Sequence, residues 1–208
     1  MPILNKDISI DNHVTLWKIT ESWTELFELF ELFENDDELN NIIQTFKSEL
    51  KKKQFLASRL LLKMELGDWK TIHSSYGKPQ PIDNSTEISI THDRGIAGII
   101  KSLNPCGIDI QEITPKVIRV KSKFINKNDI YFFSEKKKDL TVLWCAKEAL
   151  YKINGNPNIF FKEHMIIEES EEENIIVGKI IHPEFRKDYK LKVHFIGNYC
   201  LVYTLNVT

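Results

Sequence analysis

Two stretches of the chain carry apolar residues at the spacing of an α-helix. From Glu38 to about Leu66 the apolar positions recur every three or four residues, which predicts one long helix that ends at Gly67. A second helix is predicted over Asp139–Lys152. When successive residues are placed about 100° apart, its apolar residues fall on one arc that should face the core. This arc consists of Val142, Leu143, Ala146, Ala149, Leu150 and Ile153.

The opposite side of the second helix is unusual because it carries two aromatic residues beside two charges. Trp144, Glu148, Tyr151 and Lys152 share this side. Aromatic rings bring large apolar area, so we expect this side to face the other half of the protein or a ligand. The alternative is an exposed Glu148–Lys152 pair, which would stabilise the helix by only about 0.3–0.5 kcal/mol. The residues upstream favour the first interpretation.

The N-terminal part begins with a strand predicted over Thr15–Thr20. Ser22 and Glu25 have the spacing of a capping box at the start of a helix. Three Glu-Leu-Phe triplets then run to Phe33. Because two of every three residues are apolar, this helix is predicted to be buried on more than one side, and its acidic polar face is not that of a membrane-surface helix. Asn35–Glu38 is predicted to cap the long helix that follows.

The rest of the chain is predicted mainly as strands. The predicted strands are Glu87–His92 and Ile96–Ile100, which form a hairpin around Asp93–Gly95, then Cys106–Glu112, Glu163–Ile167, Ile175–His182, Tyr189–Phe195 and Tyr199–Leu205. A short helix is predicted over Asn126–Phe133 and a charged turn over Ser134–Asp139.

These elements predict an α+β protein built from two similar halves, residues 1–105 and residues 106–208. Each half has a long helix packed on a small, mostly antiparallel sheet, and a ligand cleft is expected between the halves. The similarity lies in the order of elements rather than in repeated sequence. Two halves within one chain make a monomer the expected state.

Composition and charge exclude several classes of protein. The 208 residues contain no apolar stretch long enough to span a membrane, and residues 1–7 lack a signal pattern. The three cysteines lie far apart without a Cys-x-x-Cys motif, which favours a reduced, cytoplasmic protein over a zinc or disulfide protein. A net charge of −2 argues against a general nucleic-acid binder.

One carboxylate stands out within an apolar strand. Asp109 lies between Ile108 and Ile110, where an unpartnered charge would be costly. A hard cation such as Mg²⁺ is a suitable partner because it binds carboxylates, phosphates and water. Alternation along the strand puts Gln111 on the same side as Asp109 and Glu112 on the other side.

Basic and polar residues suited to phosphate binding occur in three places. The first long helix carries a run of cations, which is either a solvated face or a docking surface for phosphates: Lys51, Lys52, Lys53, Arg59 and Lys63. Lys78 lies in a turn stiffened by Gly77 and Pro79, which holds its charge in place. Thr91 and His92 come at a strand end, where polar side chains are commonly presented to ligands, although a lone His is more often structural.

The order of these motifs resembles a known family. Tyr76-Gly77-Lys78-Pro79, Ile90-Thr91-His92, Gly107-Ile108-Asp109-Ile110 and Trp144-Cys145-Ala146-Lys147-Glu148-Ala149-Leu150-Tyr151-Lys152 follow one another as in the 4′-phosphopantetheinyl transferase superfamily. The resemblance is to the long, single-chain type that activates surfactin-synthetase-like carriers, and it covers roughly residues 15–205. It implies transfer of the phosphopantetheine of coenzyme A to a serine of an apo acyl or peptidyl carrier protein, with Mg²⁺ as cofactor.

The resemblance also implies roles for individual residues. Asp109 and Glu148 would bind Mg²⁺, and Glu148 would be, or lie beside, the general base. Lys152 would contact coenzyme A phosphates or assist the transfer. The residues expected to bind coenzyme A are Lys53 or Arg59 on the long helix, Lys78, Thr91, His92, Lys152 and, with the least certain role, Lys147.

The chain departs from the family pattern in two informative places. The usual third metal ligand is a glutamate, and Gln111 stands in its place, so an amide oxygen or water would complete the site. Thr91 replaces the usual serine and keeps the hydroxyl. The altered metal site leaves open two alternatives, a non-catalytic module that binds coenzyme A or a carrier, and a protein in which Asp109 and Glu148 only form structural ion pairs.

Overall fold

The computed structural model describes residues 3–8, 12–31, 37–83, 85–129 and 136–205. The strands are β1 Ile3–Ile8, β2 Asn12–Lys18, β3 Thr71–His73, β4 Pro79–Pro81, β5 Glu87–Asp93, β6 Ile96–Ser102, β7 Ile108–Glu112, β8 Met165–Glu169, β9 Ile175–His182, β10 Phe185–Ile196 and β11 Tyr199–Leu205. The helices are α1 Trp23–Glu31, α2 Asp37–Thr45, α3 Glu49–Leu66, α4 Lys116–Val120, α5 Lys137–Asn154 and α6 Phe161–His164, with a 3-10 turn at Lys121–Lys123.

The α+β class is confirmed. A four-stranded sheet has the order β1-β2-β6-β5 and a five-stranded sheet the order β7-β11-β10-β9-β8. The strand pairs of both sheets are antiparallel. An 18-residue helix packs on each sheet, α3 on the first and α5 on the second. The boundary after residue 105 and the relation of the two halves as a repeat stay predictions.

The start of α1 confirms the predicted capping box. The backbone N–H of Ser22 donates to Glu25 Oε2 at 2.7 Å, and the N–H of Glu25 donates to Ser22 Oγ at 3.2 Å. Leu26 and Phe30 are buried in the core that α1 shares with α3. The predicted end of the helix at Phe33 and the cap at Asn35 lie outside the described residues.

The prediction of one continuous helix from Glu38 to Leu66 is wrong. The chain leaves the helical path between Thr45 and Glu49, and Ser48 is extended, with φ −97° and ψ 125°. Thr45 Oγ1 donates to Ile42 O, and the N–H of Phe46 bonds only three residues back, so the helix tightens and stops. Phe46 then packs on Phe55 of α3, with ring centroids 5.3 Å apart.

Several strand limits also differ from those predicted. β1 was not predicted. Residues 161–164 form α6, because the N–H of His164 bonds Phe160 O and the N–H of Phe160 bonds His164 Nδ1, so β8 begins only at Met165. β10 begins at Phe185 rather than at the predicted Tyr189. The residues between them are charged, which hides the alternation of apolar and polar positions. In the predicted helix from Asn126 to Phe133, residues 126–129 form a turn closed by the N–H of Asp129 on Asn126 O, and residues 130–133 lie outside the described residues, as does the start of the turn at Ser134.

The predicted core arc of α5 is confirmed, since all six of its apolar residues are buried. The helix lies close to the start of β7 because Gly107 has no side chain. A Cβ at this position would lie 2.0 Å from Ala149 O, a separation that no packed structure tolerates. Gly107 therefore sets how closely Asp109 approaches the polar side of α5.

The edges of the two sheets meet at β5 and β7. Three side chains of β5 accept hydrogen bonds from alternate N–H groups of β7: Ser89 from Ile108 at 3.3 Å, Thr91 from Ile110 at 3.0 Å and Asp93 from Glu112 at 2.6 Å. We call these three bonds the β5–β7 ladder. A shared apolar cluster that includes Val14, Ile100, Ile108 and Leu201 lies next to it, so the halves also share a core.

Lys147 is an interior cation. Its side chain is 0% exposed, and Nζ donates to Asp129 Oδ2 at 2.6 Å. Carbonyl oxygens complete its surroundings, those of Phe124 at 2.7 Å, Met165 at 3.0 Å and Phe161 at 3.1 Å. Desolvation lowers the pKa of Lys147, while Asp129 raises it. This placement leaves Lys147 no surface for a phosphate, so we remove it from the expected coenzyme A site and assign it to packing.

Replacing Lys147 by Met is expected to lower the free energy of unfolding by roughly 3–5 kcal/mol, because Asp129 would remain buried without its cation. The measurement is urea unfolding of the full chain. Lys137→Met, on the exposed first turn of the same helix, is the matched control and should change stability by less than about 0.5 kcal/mol. Equal stabilities of the two variants would contradict this assignment.

Candidate active site

Asp109 lies at the centre of a polar cluster where β7 passes α5. It is 3% exposed. Its Oδ1 accepts hydrogen bonds from Lys152 Nζ at 2.8 Å and from Thr91 Oγ1 at 3.2 Å, and its Oδ2 accepts one from Gln111 Nε2 at 3.3 Å. Lys152 also donates to Ile108 O at 2.8 Å. β5, β7 and α5 therefore bring three of the predicted site residues, Thr91, Gln111 and Lys152, around the carboxylate of Asp109.

Glu148 faces the same cluster from α5. Desolvation and, after it, the neighbouring Asp109 raise the pKa of Glu148 to about 7, and Lys152 opposes this shift. The side chain lines a cleft of about 390 Å³ together with Gln111 and Trp144. A carboxyl group with a pKa near neutrality can hold or release a proton under ordinary conditions, which suits a general base.

The donor set of the cluster fits a hard divalent cation. Two carboxylates, Asp109 and Glu148, and the amide of Gln111 supply oxygen atoms of the kind that Mg²⁺ prefers. Desolvation and, after it, repulsion from Asp109 raise the pKa of Glu148, and a cation between the two carboxylates would relieve both effects. Among the described residues there is no group of three or more His, Cys, Asp and Glu placed to hold a metal, so the amide and water would have to complete the coordination.

Glu112 is turned away from Asp109, as the alternation predicts. Its Oε2 lies 2.6 Å from Arg94 Nε in an ion pair at the β5–β6 turn. This pair borders the cleft beside Glu148. Glu112 therefore shapes the mouth of the cleft without joining the carboxylate cluster.

A second cavity, of about 280 Å³, lies between α3 and β5. Lys51, Arg59 and His92 line it. Within the part of the chain that the structure describes, Arg59 Nε is buried and has no hydrogen-bond partner, and desolvation lowers the pKa of Arg59. Desolvation and Lys152 lower the pKa of His92, while Asp109 and Asp93 raise it. A buried guanidinium nitrogen that lacks an acceptor suits an anion such as a phosphate.

A comparison with known families matches the C-terminal part of the chain, which carries the Asp109 cluster. Residues 105–204 match the model of the 4′-phosphopantetheinyl transferase superfamily. This region of the chain belongs to the 4′-phosphopantetheinyl transferase superfamily. A comparison with curated proteins finds no match. The matched region contains Asp109, Gln111, Glu148 and Lys152, and the cavity on α3 lies outside it.

Two of the residues expected to bind coenzyme A, Lys53 and Thr91, do not face the α3 cavity. Hydrogen bonds with Ser22 lower the pKa of Glu25 in α1, and the charge of Lys53 adds to this effect, so Lys53 lies near α1. Lys51 lines the α3 cavity, and Lys53 does not. Thr91 is 2% exposed and points to β7, while its neighbour His92 points to the cavity. Adjacent residues of a strand face opposite ways, so Thr91 and His92 do not share one ligand. The geometry favours Lys51 over Lys53 at this cavity and turns the hydroxyl of Thr91 away from it, while the roles predicted for Lys53 and Thr91 stay predictions.

Lys78 lies near the C-terminal end of α5. Its Nζ forms an ion pair with Glu87 and lies 3.5 Å from Ile153 O, and the side chain is 10% exposed. Lys78 borders a cavity of about 180 Å³ together with Tyr151 and Lys152. A phosphate at this position would have to share Lys78 with Glu87, a partner that the sequence did not indicate.

An aromatic groove of about 600 Å³ flanks the other side of α5, and it was not predicted. Trp144 and Phe161 lie in it with ring centroids 5.7 Å apart, and Phe160 is 55% exposed at its edge. Trp144 also borders the Glu148 cleft, and Tyr151 borders the Lys78 cavity. The prediction that the aromatic side of the helix faces something other than bulk solvent is therefore consistent with its position between three cavities.

None of the helices in the described ranges is both long and apolar enough to cross a membrane.

Replacing Glu148 by Gln is expected to stabilise the metal-free protein in a pH-dependent way. The folded state holds the proton of Glu148 up to about pH 7, whereas an ordinary carboxyl releases it near 4.5. Between these values the folded state binds more protons, so the free energy of unfolding falls as pH rises. The stability difference between Glu148→Gln and the wild type should grow from pH 4.5 to 7, by at most about 3 kcal/mol, and then level off. Urea unfolding at stepped pH with a chelator measures this, and a difference that is constant with pH would contradict it.

Proposed function

We propose that this protein is a 4′-phosphopantetheinyl transferase of the holo-[acyl-carrier-protein] synthase kind, which moves the phosphopantetheine of coenzyme A to a serine of an apo acyl or peptidyl carrier protein in the presence of Mg²⁺. The observation that carries the proposal is the cluster of Asp109, Glu148 and Lys152, in which Lys152 pairs with Asp109 at 2.8 Å and both charges act on the pKa of Glu148. The family match to residues 105–204 includes all three.

The reaction joins the carrier serine to the β-phosphorus of coenzyme A. The serine Oγ forms a bond to this phosphorus, and the bond between the phosphorus and the bridging oxygen breaks. The leaving 3′,5′-adenosine bisphosphate keeps the bridging oxygen. Such transfers depend on positioning and on charge neutralisation more than on covalent help from the protein.

Each residue of the cluster then has a part. Glu148, with a pKa of about 7, accepts the serine proton, directly or through a water. Asp109, Glu148 and Gln111 would hold Mg²⁺, which when bound supplies neutralisation of the pyrophosphate charge. Lys152 would be available to bind the pyrophosphate once Mg²⁺ at Asp109 takes the place of its positive charge.

The cavities beside the cluster have the chemistry of the rest of coenzyme A. The cations of the α3 cavity, Lys51 and Arg59 with His92, suit the 3′-phosphate. The aromatic groove suits the pantetheine arm, which is the less charged part of the molecule. His92 of the α3 cavity is influenced by Lys152 and Asp109, and Trp144 of the aromatic groove also lines the Glu148 cleft. These links support one extended ligand that occupies both cavities.

A cationic surface beside the Glu148 cleft favours a carrier with an acidic face. The sequence from Ile113 to Asn128 contains no Asp or Glu. Its basic residues include Lys116, Arg119 and Lys123, which are exposed, and Ile118 is 42% exposed among them. Opposite charges across an interface steer association and fix its register.

The wild-type protein, incubated with coenzyme A, Mg²⁺ and a panel of apo carriers, should add the mass of phosphopantetheine to a carrier serine. Asp109→Asn should lower the rate by roughly 10²-fold or more, because the cation loses a charged ligand, and Glu169→Gln on the exposed end of β8 is the matched control. Intact-protein mass spectrometry reads both. Binding of coenzyme A without mass gain on any carrier would instead support the non-catalytic module that Gln111 suggests.

Two neighbouring lysines of α3 test the phosphate pocket. Lys51→Ala should raise the KM for coenzyme A about tenfold through loss of a charge-assisted hydrogen bond. Lys53→Ala should leave this KM close to the wild-type value, because Lys53 faces α1. Steady-state transfer rates at varied coenzyme A measure both. The opposite ranking of the two variants would return Lys53 to the site and reject the pocket as placed.

A further inference from the structure

Thr91 is the rung of the β5–β7 ladder that reaches the active cluster. Its hydroxyl accepts the N–H of Ile110 at 3.0 Å and donates to Asp109 Oδ1 at 3.2 Å. The side chain is 2% exposed. Both hydrogen-bonding functions of the hydroxyl are therefore used inside the protein, and no exposed surface of it faces a ligand.

The directions of these two bonds follow from the chemistry of the groups. A backbone N–H only donates, so the Thr91 oxygen must accept from Ile110. The hydroxyl carries one hydrogen, and an ionised carboxylate only accepts, so that hydrogen points to Asp109. The backbone of β7 thus fixes the position of the oxygen that in turn fixes the carboxylate.

The other rungs of the ladder do not share this second contact. Ser89 accepts from Ile108 and Asp93 accepts from Glu112. Among the hydrogen bonds between described residues, Thr91 is the β5 side chain that donates to Asp109. The ladder as a whole joins the sheets, and its middle rung also orients one carboxylate.

We propose that Thr91 is a positioning residue, which orients the Asp109 carboxylate for a divalent cation, and that it is not a phosphate ligand. The inference rests on the proposed function in one respect, namely that Asp109 binds a cation. Lys152 donates to Oδ1 of Asp109 at 2.8 Å, where a cation would compete with it. Thr91 donates to the same oxygen, so it would keep the carboxylate oriented if Lys152 were displaced.

The test compares three variants of the full chain. Thr91→Val keeps the shape and removes the hydroxyl, Thr91→Ser keeps the hydroxyl, and Ser89→Ala removes a neighbouring rung that does not touch Asp109. Mn²⁺ is titrated into each protein, alone and with coenzyme A, and the free ion is measured by electron paramagnetic resonance. The KM for coenzyme A is measured in parallel.

Thr91→Val is expected to weaken Mn²⁺ binding by roughly 10–100-fold, as for other groups that orient a metal ligand. Thr91→Ser and Ser89→Ala should bind Mn²⁺ as the wild type does, and the KM for coenzyme A of Thr91→Val should stay near the wild-type value. The Ser89→Ala control separates this role from a general loosening of the ladder, because it also leaves one N–H of β7 without its partner.

Three results would overturn the inference. One is an equal loss of Mn²⁺ affinity in Thr91→Val and Ser89→Ala, which would show a structural role only. Another is unchanged Mn²⁺ affinity with a raised KM for coenzyme A in Thr91→Val, which would make Thr91 a phosphate ligand. The third is a wild-type protein that binds no Mn²⁺ in either condition. Failure of the proposed function is read separately, from the carrier mass in the transfer assay.

Discussion

The site depends on how an edge strand satisfies its open hydrogen-bond donors. β7 pairs with β11 on one side only, and the N–H groups on its other side face β5. A buried N–H without an acceptor costs about as much as a lost hydrogen bond. The side chains of Ser89, Thr91 and Asp93 remove this cost without a continuous sheet. Because the bonds come from side chains, the two sheets stay distinct and a cleft can open between them.

The same constraint gives the cluster its electrostatics. β7 is held between β5 and α5, and Gly107 lets the helix approach closely, so Asp109 is buried within reach of Lys152 and near Glu148. Desolvation first, and then the charge of Asp109, raise the pKa of Glu148 to about 7 against the opposing effect of Lys152. With one ammonium beside two carboxylates, the ionised cluster lacks a positive charge. A divalent cation would supply the missing charge and release Lys152 for another anion. The raised pKa and the buried ion pair are thus two consequences of one arrangement.

Local rules predicted the parts of the fold that depend on neighbours in sequence. The capping box of Ser22 and Glu25, the core arc of α5 and the hairpin of β5 and β6 are confirmed. The break before Ser48 was not predicted because the sequence there contains no glycine or proline, and apolar spacing continues through Phe46. The side-chain bond of Thr45 to Ile42 O and the packing of Phe46 on Phe55 leave no signal in that spacing.

Part of the site was within reach of the same rules. Alternation along β7 puts Asp109 and Glu112 on opposite sides, and the same rule separates Thr91 from His92 on β5. Helical spacing likewise places Lys51, eight residues before Arg59, nearer to its face than Lys53, six residues before it. A family resemblance identifies residues by their position in the sequence. The periodicity of each strand or helix then determines which of these side chains can point to the same ligand.

The two lysines of α5 show where such rules end. Lys147 and Lys152 lie in one helix, and each has a carboxylate partner, Asp129 and Asp109 respectively. Lys147 is enclosed by carbonyl oxygens from a loop and from the start of β8, whereas the side chain of Lys152 is 26% exposed at the cleft. Nothing local distinguishes them, because the acceptors that bury Lys147 come from distant segments. The interior lysine ties the helix to those segments, while Lys152, on the same helix, presents its charge at the cleft.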